Sequence, residues 1–117
     1  MSDASCLADW CEEDDWCAIT CTADVLEKKW HPVLIHRLLV NGPLGFNALK
    51  DASGSISSNV LSSSLEDLEE KDIVTRMIVN EKPFRVEYSL TDRGLDLAPI
   101  IDAMEDWGRK HARSQPA

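Results

Sequence analysis

Along the chain, hydrophobic residues follow helical spacing, then strict alternation, then helical spacing again. Ala23, Leu26 and Trp30 recur at helical intervals, and Thr22 or Asp24 can cap the start of the helix they define. Pro32 suits the first turn of a second helix bearing Val33, Leu34, Leu38 and Leu39, and Asn41-Gly42-Pro43 is a strong stop for it. Phe46–Ala52 reads as a short helix with Phe46 and Leu49 inward, after which Ser53-Gly54-Ser55 turns the chain.

The next helix has the clearest pattern. Ser57 is a natural N-cap, and Leu61, Leu65 and Leu68 form one apolar stripe opposite Asn59, Ser62, Ser63 and Glu66. Two strands follow. Ile73, Thr75, Met77 and Val79 alternate with Val74, Arg76 and Ile78, and Phe84, Val86, Tyr88 and Leu90 alternate with Arg85, Glu87 and Ser89. Asn80-Glu81-Lys82-Pro83 joins them as a hairpin loop. Thr91 or Asp92 caps a last helical region, and Pro99 starts or kinks its second half. There Leu95, Leu97, Ile100, Ile101, Met104 and Trp107 supply more apolar surface than one core stripe requires. Neither the short helix nor the hairpin is stable alone, so both need the Leu61/Leu65/Leu68 stripe to pack on. A short helix, a turn, a longer helix and a hairpin in this order make the plan of a winged helix-turn-helix. The expected fold is therefore α+β, mainly helical, with a β-hairpin wing.

Before Thr22 no clear period survives. Residues 1–16 combine acids with Trp10 and Trp16, whose apolar area argues for an arm or short first helix packed on the body or on a partner subunit. A length of 117 residues suits one domain. No apolar run is long enough for a bilayer and no signal-peptide pattern opens the sequence, so a cytoplasmic protein without a membrane partner is expected. A net charge of −9 by itself argues against a phosphate polymer as partner. Its distribution changes that picture. The first 24 residues hold seven of the 21 acids and no Lys or Arg, so residues 25–117 carry fourteen acids against twelve bases.

Cys6, Cys11, Cys17 and Cys21 form a C-x4-C-x5-C-x3-C series, which matches no standard zinc module. On a helix Cys17 and Cys21 share a face, where they could sense oxidants or bind metal together. A helix start near Cys17 favours its thiolate, whereas Asp14 and Asp15 oppose it. For Cys6 and Cys11 the favoured reading is that of small, partly buried apolar residues. His31, His36 and His111 show no ligand spacing and read as surface or cap residues. No nucleophile–base pair, phosphate-cradling glycine loop or paired carboxylates stand out. Catalytic residues, a cofactor and a metal site are thus not expected, and the protein does not read as an enzyme.

The string Arg85 to Thr91 lies at characteristic distances from Lys29-Trp30 and Trp107-Gly108. Gly42-Pro43, Phe46-Asn47, Val60-Leu61-Ser62 and Gly94 fall in register between them. Over residues 17–111 the chain therefore resembles the HxlR-type winged helix-turn-helix regulators of the MarR-like superfamily. The resemblance implies a homodimer held by N- and C-terminal dimerisation helices, with Leu97, Ile100, Ile101, Met104 and Trp107 at the contact. It also implies a recognition helix at about 57–70 that enters the major groove of a double-stranded DNA operator, and a wing at about 73–90. Ser57, Ser58, Asn59, Ser62 and Ser63 would then meet bases or phosphates, while Arg76, Lys82 and Arg85 meet the backbone. Cys17 stands where many such proteins carry a reactive cysteine, which makes Cys17 and Cys21 the redox-sensing candidates. The chain departs from the pattern at Leu44, Gly45, Asp51, Asn59, Ser64 and Glu66, near which relatives commonly carry Arg or Lys. Another departure is Asp72, in place of the usual glycine after the recognition helix.

These readings divide the chain into an acidic arm or short helix (1–16), the winged-helix domain (17–111) and a tail (112–117). The expected function is a DNA-binding transcriptional regulator, redox-responsive through Cys17. The alternatives are a winged-helix protein-interaction module with little DNA affinity, motivated by the cation-poor recognition helix, and a metal- or cluster-containing sensor using the N-terminal cysteines.

Overall fold

The structure is a computed structural model that describes residues 15–112, with side chains from residue 18 onward. The 1–16 arm, the 112–117 tail, Cys6 and Cys11 thus lie wholly or almost wholly outside the described residues, as does the side chain of Cys17. Helix α1 (Asp15–Leu26) is followed by α2 (Trp30–Asn41), the two-residue strand β1 (Leu44–Gly45), α3 (Phe46–Ala52) and α4 (Ser58–Glu70). Strands β2 (Val74–Glu81) and β3 (Phe84–Leu90) form the hairpin, and α5 (Asp92–Leu95) and α6 (Ala98–His111) close the chain.

The first helix differs from the expectation. Thr22 and Asp24 are not its caps but lie inside it, and the Thr22 hydroxyl donates back to the Ala18 carbonyl at 3.1 Å. Nor does the helix continue to Trp30, which instead opens α2. The cause is Pro32, which has no N–H to offer the Lys28 carbonyl four residues back. The His31 N–H takes that carbonyl at 3.2 Å, and the helix is cut there. At the other end of α2, Gly42 adopts φ 79° and returns its N–H to the Leu38 carbonyl, as the Asn-Gly-Pro stop requires.

The helix-turn-helix forms as its pattern predicts. Ser57 caps α4, its hydroxyl accepting the Val60 N–H at 3.2 Å, and Leu61, Leu65 and Leu68 are buried. They join Leu34, Ile35 and Leu38 of α2, Leu49 of α3 and Ile56 in one core. The end of α4 is a Schellman closure. Ile73 N–H bonds the Leu68 carbonyl at 2.9 Å and Asp72 N–H the Glu69 carbonyl at 3.0 Å, with Asp72 left-handed at φ 63°. Ile73 and Leu68, paired by that closure, are both buried.

Three antiparallel strands lie in the order β1-β3-β2. The sequence did not predict β1, because two residues give no period; Leu44 pairs with Tyr88 and Gly45 with Glu87. The hairpin turn is shorter than expected, since Asn80 and Glu81 pair with Arg85 and Phe84 across a register shift. Only Val74 of β2 is buried, so the hairpin projects beyond the core as a wing. Thr91 caps α5 by accepting the Gly94 N–H at 3.0 Å, and its hydroxyl donates to the Asp72 carbonyl at 2.6 Å. That ties the start of the last helical region to the end of α4.

His31 was expected at the surface or a cap and is instead wholly buried. Leu97 and Ile101 were expected at the dimer contact. They are 8% and 3% exposed and belong to the core of the single chain.

Candidate nucleic-acid interface

The N-terminal half of α4 is an exposed polar surface of the helix-turn-helix. Ser57, Ser58, Asn59, Ser62, Ser63 and Glu66 all face outward. Two of the serines are already engaged. Ser57 holds the cap, and the Ser63 hydroxyl donates to the Val60 carbonyl at 3.2 Å. Among the described residues the side chains of Ser58, Asn59 and Ser62 make no hydrogen bond, which leaves them able to serve a ligand. Ser64, one of the cation-lacking positions, is buried and faces the core, so it does not belong to this surface.

The electrostatics of α4 are polarised along its length. Its first turn carries no acid, so the positive end of the helix dipole and its open N–H groups are left uncompensated. Asp67, Glu69 and Glu70 crowd its last turns, and the helix holds no Lys or Arg. An anion is thus attracted to one end of α4 and repelled from the other.

The cations lie on the wing. Arg76, Lys82 and Arg85 are all exposed. Arg76 stands opposite Tyr88, three residues from Arg85 on the neighbouring strand, so by strand alternation Arg76 and Arg85 project from opposite faces of the ribbon. Lys82 occupies the tip, where its N–H bonds the Asn80 side chain at 3.3 Å. A ribbon with cations on both faces and at its tip suits insertion into a groove between two phosphate rows better than lying flat on one row. Beside it, Phe46, Asn47 and Ala48 of α3 and Phe84 to Tyr88 of β3 line a cleft of about 370 Å³.

On the far side of the molecule, α1 and α6 form an apolar groove of about 450 Å³ lined by Ile19, Ala23, Leu26, Ile100 and Met104. Ile19 is 69% exposed, Met104 43% and Trp107 67%, although each is large and apolar. Ile100, Met104 and Trp107 thus remain available for a contact between subunits, whereas Leu97 and Ile101 do not. Sequence reasoning missed Ile19. It precedes Ala23 and Leu26 at helical spacing and becomes visible once the helix is allowed to start before Thr22.

Cys17 and Cys21 lie one turn apart on α1, as the spacing requires, and Cys21 is half-buried. Among the described residues no three His, Cys, Asp or Glu side chains are grouped to hold a metal ion. No helix is long and apolar enough to cross a membrane, among the same residues.

Comparison with known proteins agrees with this geometry. The profile of the HxlR-like helix-turn-helix family matches residues 25–116. The HTH-type transcriptional regulator YvaP of Bacillus subtilis is 40% identical over 84 residues, which cover 72% of this chain and 77% of YvaP. The redox regulator HypR in its oxidised form superposes with a TM-score of 0.76 at 34% identity, covering 84% of this chain and all of HypR. The reduced form of YodB from Bacillus subtilis gives 0.71 at 29% identity, covering 82% and 93%.

Proposed function

This chain belongs to the HxlR-like helix-turn-helix family of transcriptional regulators, and we propose that it acts as a homodimer on a two-fold DNA operator. The observation that carries this reading is the polarity of α4. Its capped, acid-free N-terminal end presents Ser58, Asn59 and Ser62 outward beside a wing bearing Arg76, Lys82 and Arg85. Asn59 can pair bidentately with adenine, and the serines can bond bases or phosphates. The two wing faces reach phosphates on either side of a groove. Ile19, Ile100, Met104 and Trp107 form the subunit contact, which sets two recognition helices about one turn of duplex apart. Fluorescence anisotropy with the protein's own promoter region tests the reading. Saturable binding that weakens in Asn59→Ala and Arg85→Ala supports it, and no binding at any salt concentration overturns it.

The first helix adds a redox side to this reading. HypR is named a redox regulator, and Cys17 and Cys21 lie one turn apart on α1, the helix that also lines the apolar groove. Oxidation of Cys17 would alter the helix that builds the subunit contact. A thiol oxidant should therefore change operator affinity of the native protein and leave Cys17→Ser unaffected. The absence of any cation in α4 favours a second reading, a protein-interaction module with little DNA affinity. The anisotropy experiment separates the two.

A further inference from the structure

His31 is buried where the end of α1, the start of α2 and the end of α4 meet. Its Nδ1 lies 3.1 Å from the Val25 carbonyl oxygen. A carbonyl only accepts, so Nδ1 carries a proton. In a neutral ring Nε2 is then a bare lone pair, and it faces Asp67 Oδ2 at 3.4 Å. Both atoms are buried, and among the described residues neither has a hydrogen-bond partner. Two acceptors facing each other out of water is a costly arrangement. One proton on Nε2 converts it into a charge-assisted hydrogen bond.

The other charged groups facing His31 decide which atom holds that proton. Lys71, the residue that follows α4, stands 3.2 Å from Asp67 Oδ2, out of line for a hydrogen bond but close enough for an ion pair. Lys71 also donates to the Asp24 carbonyl of α1 at 2.9 Å and lies 3.8 Å from the Asp24 carboxylate. With His31 protonated, two cations and two anions form a neutral group that spans three helices. Asp67 and Lys71 sit at the end of the recognition helix, and Asp24 and Val25 end the helix that lines the apolar groove.

We propose that a proton held between His31 Nε2 and Asp67 Oδ2 closes a clasp that positions the recognition helix against the subunit-contact helix, making operator binding proton-dependent. The proposal rests on the operator-binding reading above. Losing the proton sets a lone pair against a carboxylate and releases the end of α4, so affinity falls as pH rises. His31 and Asp67 touch no DNA in this arrangement. They act by fixing the angle and spacing at which two copies of α4 meet the duplex.

Two measurements on the full-length protein test it. Nitrogen-15 spectra of the histidine rings, followed across the pH range in which the domain stays folded, should show both His31 nitrogens protonated at the acid end, with a slowly exchanging Nε2 proton lost towards the alkaline end. A ring that keeps a bare Nε2 over that whole range overturns the clasp. Operator affinity is then followed across the same range. In the native protein the Kd should rise with pH by no more than about a hundredfold per unit, the limit for the two linked protons of a dimer. Asp67→Asn supplies a permanent donor to the neutral Nε2, so it should bind at high pH as the native protein does at low pH, with a flat profile. Asp67→Leu should bind weakly throughout. An Asp67→Asn profile parallel to the native one overturns the proposal. Absence of operator binding at every pH would instead sink the operator reading, and the ring spectra would still decide the clasp.

Discussion

Ser57 and Thr91 announce themselves as caps because an N-cap needs only its own next turn. Asp72 follows the same logic. The Schellman closure needs a left-handed residue there, and φ is 63°. Asp tolerates that region with strain that glycine does not feel. Asp72→Gly should therefore stabilise the domain by about 0.5–1 kcal/mol, read as a higher urea midpoint at an unchanged slope. Gly94 is the opposite case. A Cβ there would collide with the Ile73 carbonyl oxygen, which already accepts the Thr91 N–H. Both groups are backbone and have little room to move, so Gly94→Ala should cost about 1–3 kcal/mol in the same measurement. His31 could not be read this way, because its partners are Val25 and Asp67 on two other helices. A lone histidine in a sequence carries no sign of the carboxylate it will meet.

At the scale of elements, the hydrophobic period located α2, α3, α4 and both wing strands, since each packs its apolar side on one shared core. It failed where an element lacks a period or serves two surfaces. Strand β1 is too short to show one, and α1 was cut by a proline two residues inside the next helix. In α6 the period says which residues are apolar but not what covers them. Leu97 and Ile101 turn to the core, while Ile100, Met104 and Trp107 turn outward from the same stretch. Paired substitutions separate these roles. Ile101→Ala should lower stability by about 2–5 kcal/mol through the cavity it leaves, whatever the protein concentration. Met104→Glu should leave the fold intact and shift the molar mass in solution from dimer to monomer, because it sets a charge on each side of the contact. The outer rim of α6 also holds a pair with a definite sign. The Arg109 guanidinium, bonded to Glu105 at 2.6 Å, keeps that carboxyl below its ordinary range. What this exposed pair contributes is present at neutral pH and lost as pH falls through the lowered Glu105 titration. Arg109→Gln should move that titration back up in a carboxyl NMR series.

For the whole molecule, charge placement decides more than net charge. The chain is strongly acidic, yet seven of its acids lie in the first 24 residues and the last turns of α4 hold a further cluster. The wing keeps Arg76, Lys82 and Arg85 exposed, and α4 itself carries no cation. Salt dependence turns this into a number. Each cation that neutralises a phosphate releases condensed counterion, and log K falls with log salt by about 0.9 per contact. With three wing cations on each of two subunits and none from α4, the slope should be about −5. Each of Arg76→Gln, Lys82→Gln and Arg85→Gln should remove about two units from the dimer's slope. Asn59→Ala should weaken binding with the slope unchanged, because its contact is to a base edge and releases no ion. A slope well beyond −5 would mean that cations outside the wing reach the duplex, with Lys50 of α3 the nearest in sequence on the N-terminal side of the recognition helix. A slope near zero would leave α4 and the wing without phosphate contacts and return the polar face of Ser58, Asn59 and Ser62 to a solvated helix surface.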